Sequence, residues 1–126
     1  MSDGECPCGR ARPYDACCGR FHHGGAAAPT AEDLMRSRYS AFALGDAAYL
    51  ARTWAAATRP ADIRLVEDQR WTGLNVLAVE AGGLLDDTGI VEFEARWERG
   101  GRSGALHERS TFAREDGRWV YVGQEM

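Results

Sequence analysis

Hydrophobic and polar positions along the chain predict two helices followed by four strands. After Thr30, a residue type favoured at helix N-caps, apolar side chains recur three or four positions apart and so lie on one face of an α-helix. Gly45 is typical of a helix end. Asp46 is the expected cap of a second helix, which carries Trp54 and must end before Pro60 because proline cannot continue a helix.

The second half of the chain has the alternation of a β-sheet. The run from Val91 to Glu98 alternates apolar and charged residues, so one face of this strand is buried and the other is wet. The predicted strands are Trp71 to Glu80, Val91 to Glu98, about 105–114, and Arg118 to about Gln124. A loop at 100–104 and a tight turn at 115–117 join the last three, whereas 62–69 fits either a short helix or an irregular turn. Helices followed by strands indicate an α+β fold, with the helices packed on one face of an antiparallel sheet.

Length and charge narrow the class of protein. A chain of 126 residues with a net charge of −4 favours one domain and argues against a general nucleic-acid binder, which is usually basic. No apolar run approaches the ~20 residues that cross a bilayer, and residues 1–5 lack the basic start of a secretory signal, so we expect a cytoplasmic protein. Residues 1–25 are too poor in apolar side chains to fold without a cross-link such as a structural metal. Residues 30–126 form the predicted globular domain, the body of the chain.

All cysteines of the chain fall within its first 18 residues. They are Cys6, Cys8, Cys17 and Cys18. In a reducing compartment such a cluster is more often a metal site than a disulfide framework, and four thiolates can close a tetrahedron around Zn²⁺. A closed site leaves no position for water, which predicts a structural rather than a catalytic ion; iron is the alternative metal. His22 or His23 could replace Cys18 as the fourth ligand, or that histidine pair lies in a solvated loop.

The spacing of this cluster resembles the SEC-C motif, a zinc-binding module of the preprotein translocase ATPase and of several small bacterial proteins. The segments 6–9 (CPCG) and 17–19 (CCG), with Tyr14 between them, carry the resemblance. Residues 10–11 (Arg-Ala) stand where the motif usually has Ser-Gly, which is a departure from it. The fourth ligand of the motif is His or Cys, so the resemblance implies that Cys18 fills that position.

Segments of the body resemble the middle domain of the YchJ family. They are 34–42 (LMRSRYSAF), 71–77 (WTGLNVL), 107–112 (HERSTF) and 114–119 (REDGRW). The resemblance covers essentially the whole chain. It implies a nuclear-transport-factor-2-like fold, in which helices pack into the concave side of a bent four-stranded antiparallel sheet to form a cone. A small N-terminal zinc-binding appendage, 1–25, would precede this domain, 30–126.

Two charged residues fall on faces that the pattern assigns to the core. Arg38 shares the apolar face of the first helix, and Glu108 shares the face of the apolar residues on the third strand. Because buried charges are costly without partners, we expect Arg38 and Glu108 to pair, with Ser110 and Tyr39 completing the network. The group is either a structural ion pair or the polar floor of a ligand pocket.

Two functions fit these observations. In the first, the zinc module is an adaptor that presents arginines to a protein or ribosomal partner, because similar SEC-C modules engage an export chaperone or ribosomes. Those arginines are Arg10, Arg12 and Arg20. In the second, the cone binds a small molecule or acts as an enzyme, although no motif assigns a catalytic residue. Neither function involves DNA or a membrane, and a dimer is compatible with both.

Overall fold

The computed structural model describes residues 5–65 and 68–125 and places all its helices before its strands. A 3₁₀ turn at Tyr14–Ala16 is followed by α1 (Gly19–His22), α2 (Ala31–Leu44) and α3 (Ala47–Arg52). The strands are β1 (Gln69–Ala81), β2 (Thr88–Arg99), β3 (Arg102–Glu115) and β4 (Arg118–Gln124). They form one antiparallel sheet in the order β1-β2-β3-β4. The predicted α+β class is therefore confirmed.

The residues that cap α2 are those that the sequence pattern predicted. The Thr30 side chain accepts a hydrogen bond from the Asp33 backbone N–H at 3.1 Å, and Gly45 adopts the left-handed conformation with φ of 78°. Asp46 caps α3 by accepting from the Tyr49 N–H at 3.0 Å. The second helix is shorter than predicted, however, because it ends at Arg52 and leaves Trp54 in an isolated bridge outside it.

Two tight turns join the last three strands. Gly100 and Gly101 have φ of 55° and 82°, the positive pair that a two-residue hairpin turn requires. β3 therefore begins at Arg102, and the predicted loop over 100–104 was too long. Asp116 and Gly117 have φ of 52° and 81°, which makes the predicted turn between β3 and β4 a hairpin of the same kind.

The core lies between the helices and one face of the sheet. α2 packs on β1, β2 and β4, and register shifts in β1 after Trp71 and after Val76 interrupt its pairing with β2. Such bulges bend and twist a strand, which curves the sheet around the helix. The largest core side chains include Leu34, Tyr39, Leu50, Phe93, Phe112 and Trp119.

Residues 62–69 were predicted as a short helix or an irregular turn, and the last of them, Gln69, is the first residue of β1. Residues 66 and 67 lie outside the described residues, and the described positions on either side of them, 62–65 and 68, belong to no helix. Ile63 and Leu65 pack against the core. In the part of the chain that the structure describes, no helix is both long enough and apolar enough to cross a bilayer.

Candidate metal centre and interior pocket

The four cysteine sulfurs meet at one buried point. Their Sγ atoms all lie within 4.8 Å of one another, and each cysteine is at most 4% exposed. Cys6 and Cys8 lie within the turn that the Gly9 N–H closes onto the Cys6 carbonyl, whereas Cys17 and Cys18 lie between the 3₁₀ turn and α1. The structure therefore brings together the four residues that the sequence nominated as ligands.

The chemistry of the cluster suits a soft, four-coordinate cation. A tetrahedron with metal–sulfur bonds of about 2.3 Å has sulfur–sulfur edges of about 3.8 Å, and Cys8 Sγ lies 3.6 Å from Cys17 Sγ. None of the four cysteines forms a disulfide. Hydrogen bonds from Cys18 and Cys8 hold the pKa of Cys6 well below its ordinary value, whereas hydrogen bonds to Cys6 and Cys8 raise the pKa of Cys18. A cation would bind these sulfurs as thiolates and displace the protons that they carry without it.

His22 has a role that neither sequence alternative anticipated. Its side chain is buried, its Nε2 donates to the Ser37 carbonyl at 2.8 Å, and its Nδ1 accepts from the Tyr14 hydroxyl at 2.5 Å. Both ring nitrogens are therefore used, so His22 is neither a ligand of the cysteine cluster nor part of a solvated loop. His23 is exposed.

The cysteine segment is bound along α2 and α3. Arg36 on α2 donates to the Cys8 carbonyl at 2.8 Å. Arg52, the last residue of α3, donates to the carbonyls of Phe21 and His22 at 3.0 Å and 2.8 Å, respectively. These bonds satisfy carbonyls at the end of α1 and join the cysteine segment to the two helices of the body.

The three arginines predicted to face a partner differ in their contacts within the chain. Arg10 forms an ion pair with Asp33 on α2. Arg20 and Arg12 are both exposed, although Arg20 Nε donates to the Cys17 carbonyl at 3.0 Å. Part of the proposed adaptor surface is therefore engaged within the chain.

The body holds a cavity of about 230 Å³ between α2 and the sheet. Its apolar walls come from α2 and the first three strands and include Met35, Phe42, Trp71, Phe93, Leu106 and Phe112. All four body residues nominated from the sequence line it, namely Arg38, Tyr39, Glu108 and Ser110. Trp54 and Tyr121 also line it and were not nominated, because nothing in their spacing distinguishes a pocket residue from a core aromatic.

Arg38 is held by groups other than the predicted carboxylate. It is 6% exposed, and its Nη1 donates to the Leu50 carbonyl at 2.9 Å and to Thr53 Oγ1 at 2.8 Å. Its guanidinium carbon lies 5.0 Å and 4.7 Å from the ring centroids of Trp54 and Tyr121, respectively. Burial lowers its pKa to about 10, so the side chain stays cationic at neutral pH.

The predicted contact between Arg38 and Glu108 was wrong. Among the described residues, no carboxylate lies within the 4.0 Å of an ion pair from the Arg38 guanidinium. The physical reason is that the carbonyl and hydroxyl at the end of α3, together with two aromatic faces, already stabilise the cation.

Glu108 has its own hydrogen-bond partners. Its Oε2 accepts from Ser110 Oγ at 2.5 Å and from the Tyr121 hydroxyl at 3.2 Å. Burial and the neighbouring Glu108 carboxylate raise the pKa of Tyr121 to about 12, which keeps the phenol protonated as a donor. Ser110 thus joins Glu108 as predicted. Tyr39 does not join them: its ring contacts Trp71 edge to face at a centroid distance of 6.2 Å and forms part of the wall.

One buried donor belongs to a side chain that lines the cavity and has no acceptor. Trp54 Nε1 is the single buried side-chain nitrogen or oxygen within residues 5–65 and 68–125 that lacks a hydrogen-bond partner. Buried polar groups in folded proteins are nearly always satisfied, so this nitrogen is an exception. Because it is buried from the cavity as well as from solvent, it is not a contact point for a ligand.

The opposite face of β3 carries charges rather than a pocket. His107 Nε2 lies 2.5 Å from a Glu92 carboxylate oxygen. Arg109 contacts three carboxylates, those of Glu80, Glu92 and Glu125. The hydrogen bond from His107 lowers the pKa of Glu92. These groups form a surface ion-pair network, which is the solvated face that the alternation predicted.

The fold and the sites together define a class of protein. It is an NTF2-like α+β domain that carries a closed module of four cysteines and encloses a pocket. The family model described as "YchJ, middle NTF2-like domain" matches residues 30–124. The chain belongs to the YchJ family, which confirms the resemblance seen in its sequence.

The relatives span nearly the whole chain. A UPF0225 protein of Streptomyces coelicolor is 57% identical over 125 residues, which cover 99% of this chain and 98% of the relative. A UPF0225 protein of Corynebacterium efficiens is 50% identical over 119 residues, which cover 94% of this chain and 91% of the relative.

Two solved structures share the fold. The solution structure of a SEC-C motif containing protein from Rhodopseudomonas palustris is 36% identical, with a TM-score of 0.85 and coverage of 96% of this chain and 97% of that one. The crystal structure of a SEC-C motif containing protein from Psychrobacter arcticus is 30% identical, with a TM-score of 0.82 and coverage of 99% and 85%, respectively. Both similarities include the cysteine segment, since they span almost all of this chain.

Proposed function

We propose that this protein binds a small, largely apolar molecule in the interior pocket. The observation that carries the proposal is the cavity itself, in which apolar and aromatic walls surround a few converging polar groups, the usual make-up of a small-molecule site. Phe42 and Leu106 line this cavity although they are 37% and 39% exposed. A ligand would cover apolar surface that the chain leaves accessible.

The indole N–H groups of the chain's tryptophans provide a test within the molecule. Trp54 and Trp71 line the cavity, whereas Trp97 and Trp119 do not. Titration with ethylbenzene and with phenylacetamide, followed in proton–nitrogen correlation spectra, is expected to shift the first pair and leave the second pair in place. Trp54→Phe assigns the first resonance. The proposal is overturned if neither probe moves the Trp54 and Trp71 resonances, or if all four move alike.

We further propose that the cysteine cluster holds one structural Zn²⁺. Four buried sulfurs at tetrahedral distances suit this ion and leave no position for a reacting water. When bound, the ion would supply cross-linking of the segment rather than chemistry. Cys6, Cys8, Cys17 and Cys18 would hold it. Iron in the same tetrahedron is the competing outcome.

Metal analysis by native mass spectrometry tests this proposal. The purified protein is expected to carry one zinc, His23→Ala is expected to keep it, and Cys18→Ser is expected to lose it. In case Cys18→Ser fails to fold, the wild type gives a second measurement: its thiols should resist a thiol reagent until a chelator removes the metal. Thiols that react fully in the metal-bound protein, or iron in place of zinc, would contradict the proposal.

An adaptor role for the cysteine module is the second candidate function. The motif shared with the two SEC-C proteins supports it. The ion pair of Arg10 with Asp33 makes the charged surface smaller than the sequence implied, so we rank the adaptor role below ligand binding. A protein or ribosomal partner whose binding survives loss of the metal would count against it.

A further inference from the structure

We infer that the pocket takes an uncharged ligand that presents a hydrogen-bond acceptor and a donor side by side, the pattern of a carboxamide or lactam, on a compact apolar body. The inference rests on the proposed ligand-binding function and specifies its chemistry. It follows from the charges of Arg38 and Glu108, from the hydrogen-bonding capacity that these two residues retain, and from the apolar side chains that line the rest of the cavity.

Arg38 retains capacity to donate. A guanidinium has five N–H groups, and the hydrogen bonds of Arg38 in the described residues run from Nη1 to Leu50 and Thr53. The N–H groups of Nε and Nη2 have no protein acceptor there. The Trp54 ring lies against this guanidinium and covers one of its faces. The edge of the pocket near Arg38 therefore has more donors than acceptors.

Glu108 retains capacity to accept. Both of its hydrogen bonds in the described residues use Oε2, one from Ser110 and one from Tyr121. Its second carboxylate oxygen has no donor there. A carboxylate offers about four acceptor positions, so a ligand N–H or O–H can bind to it without displacing Ser110 or Tyr121.

The charges balance within the cavity. Arg38 and Glu108 are the lining residues that carry a full charge, and the ion-pair network of β3 faces the other side of the sheet. An anionic ligand would bind Arg38 but bring its charge close to Glu108, and a cationic ligand would meet the reverse problem. A neutral group that pairs an acceptor with a donor meets both residues without adding charge to an apolar site.

Four probes test the inference, each a phenyl ring with a different side group: ethylbenzene, phenylacetamide, phenylacetate and phenethylammonium. Dissociation constants come from the Trp54 indole shift. Phenylacetamide is expected to bind at least about fivefold more tightly than ethylbenzene and than either charged probe. Equal affinity for all four probes would overturn the inference and leave the ligand-binding proposal standing. No shift with any probe would overturn both.

A charge-neutralising variant sharpens the experiment. Glu108→Gln leaves Arg38 without a balancing charge, so phenylacetate is expected to gain at least about tenfold in affinity and to bind no more weakly than phenylacetamide. Glu94→Gln, on the outer face of β2, is the matched control and should keep the wild-type order. Unchanged Trp97 and Trp119 resonances report that each variant is folded. A Glu108→Gln variant that keeps the wild-type order of probes would contradict the inference.

Discussion

At the scale of single residues, burial raises the pKa of every tyrosine of the chain. The pKa of Tyr14 and that of Tyr121 rise to about 12, and those of Tyr39 and Tyr49 rise as well. An unfolded chain ionises its tyrosines near their ordinary value of 10.0, whereas the folded protein keeps these protons. Between about pH 10 and pH 12 the unfolded state therefore binds fewer tyrosine protons, and stability falls as the pH rises.

Phenolate absorbance and circular dichroism, measured together through alkaline titration, check this expectation. Phenolate formation should coincide with loss of the fold rather than precede it. Arg38 acts in the opposite direction, because its lowered pKa of about 10 lets the folded state release a proton first; four tyrosines outweigh one arginine. Tyrosines that ionise near pH 10 in a chain that is still folded would show that the phenols are not buried as described.

Residue positions were easier to predict than residue partners. The helical and strand periods placed Arg38 and Glu108 on core faces, and both line the cavity. Their partners depend on how α3 ends and where β4 lies, which no local pattern encodes. His22 is a similar case: its polar neighbours suggested solvent, but its acceptor on α2 is 15 residues away in sequence.

At the scale of elements, features with local causes were predictable and features with tertiary causes were not. The caps at Thr30, Gly45 and Asp46 and the turn at 115–117 follow from side chains acting within a few residues, and all are confirmed. The early end of α3 has a tertiary cause, because the Tyr121 N–H donates to the Thr53 carbonyl and the Ala55 N–H to the Tyr121 carbonyl. Pairing with β4 thus replaces the next helical turn.

At the scale of the whole molecule, α3 joins the cysteine cluster to the pocket. On one side Arg52 donates to the carbonyls at the end of α1, the short helix that follows Cys17 and Cys18. On the other side, α3 and the residue that follows it provide the carbonyl of Leu50 and the hydroxyl of Thr53, both of which bind Arg38. The residue that binds α1 and the residues that bind Arg38 lie within one turn of each other. Movement of α1 should therefore change the position of the Arg38 guanidinium in the pocket.

Removal of the proposed metal is therefore expected to weaken ligand binding, although none of the four cysteines lines the cavity. Chelation should raise the dissociation constant of phenylacetamide by about fivefold or more and shift the Trp54 indole resonance. Arg52→Ala should reproduce part of both effects in protein that retains its metal, because it removes the link and not the ion. Arg12→Ala, an exposed arginine of the cysteine segment, is the control and should change neither. If the chelated protein stays folded and binds the probe with unchanged affinity, the two sites are independent and α3 is only a structural neighbour of both.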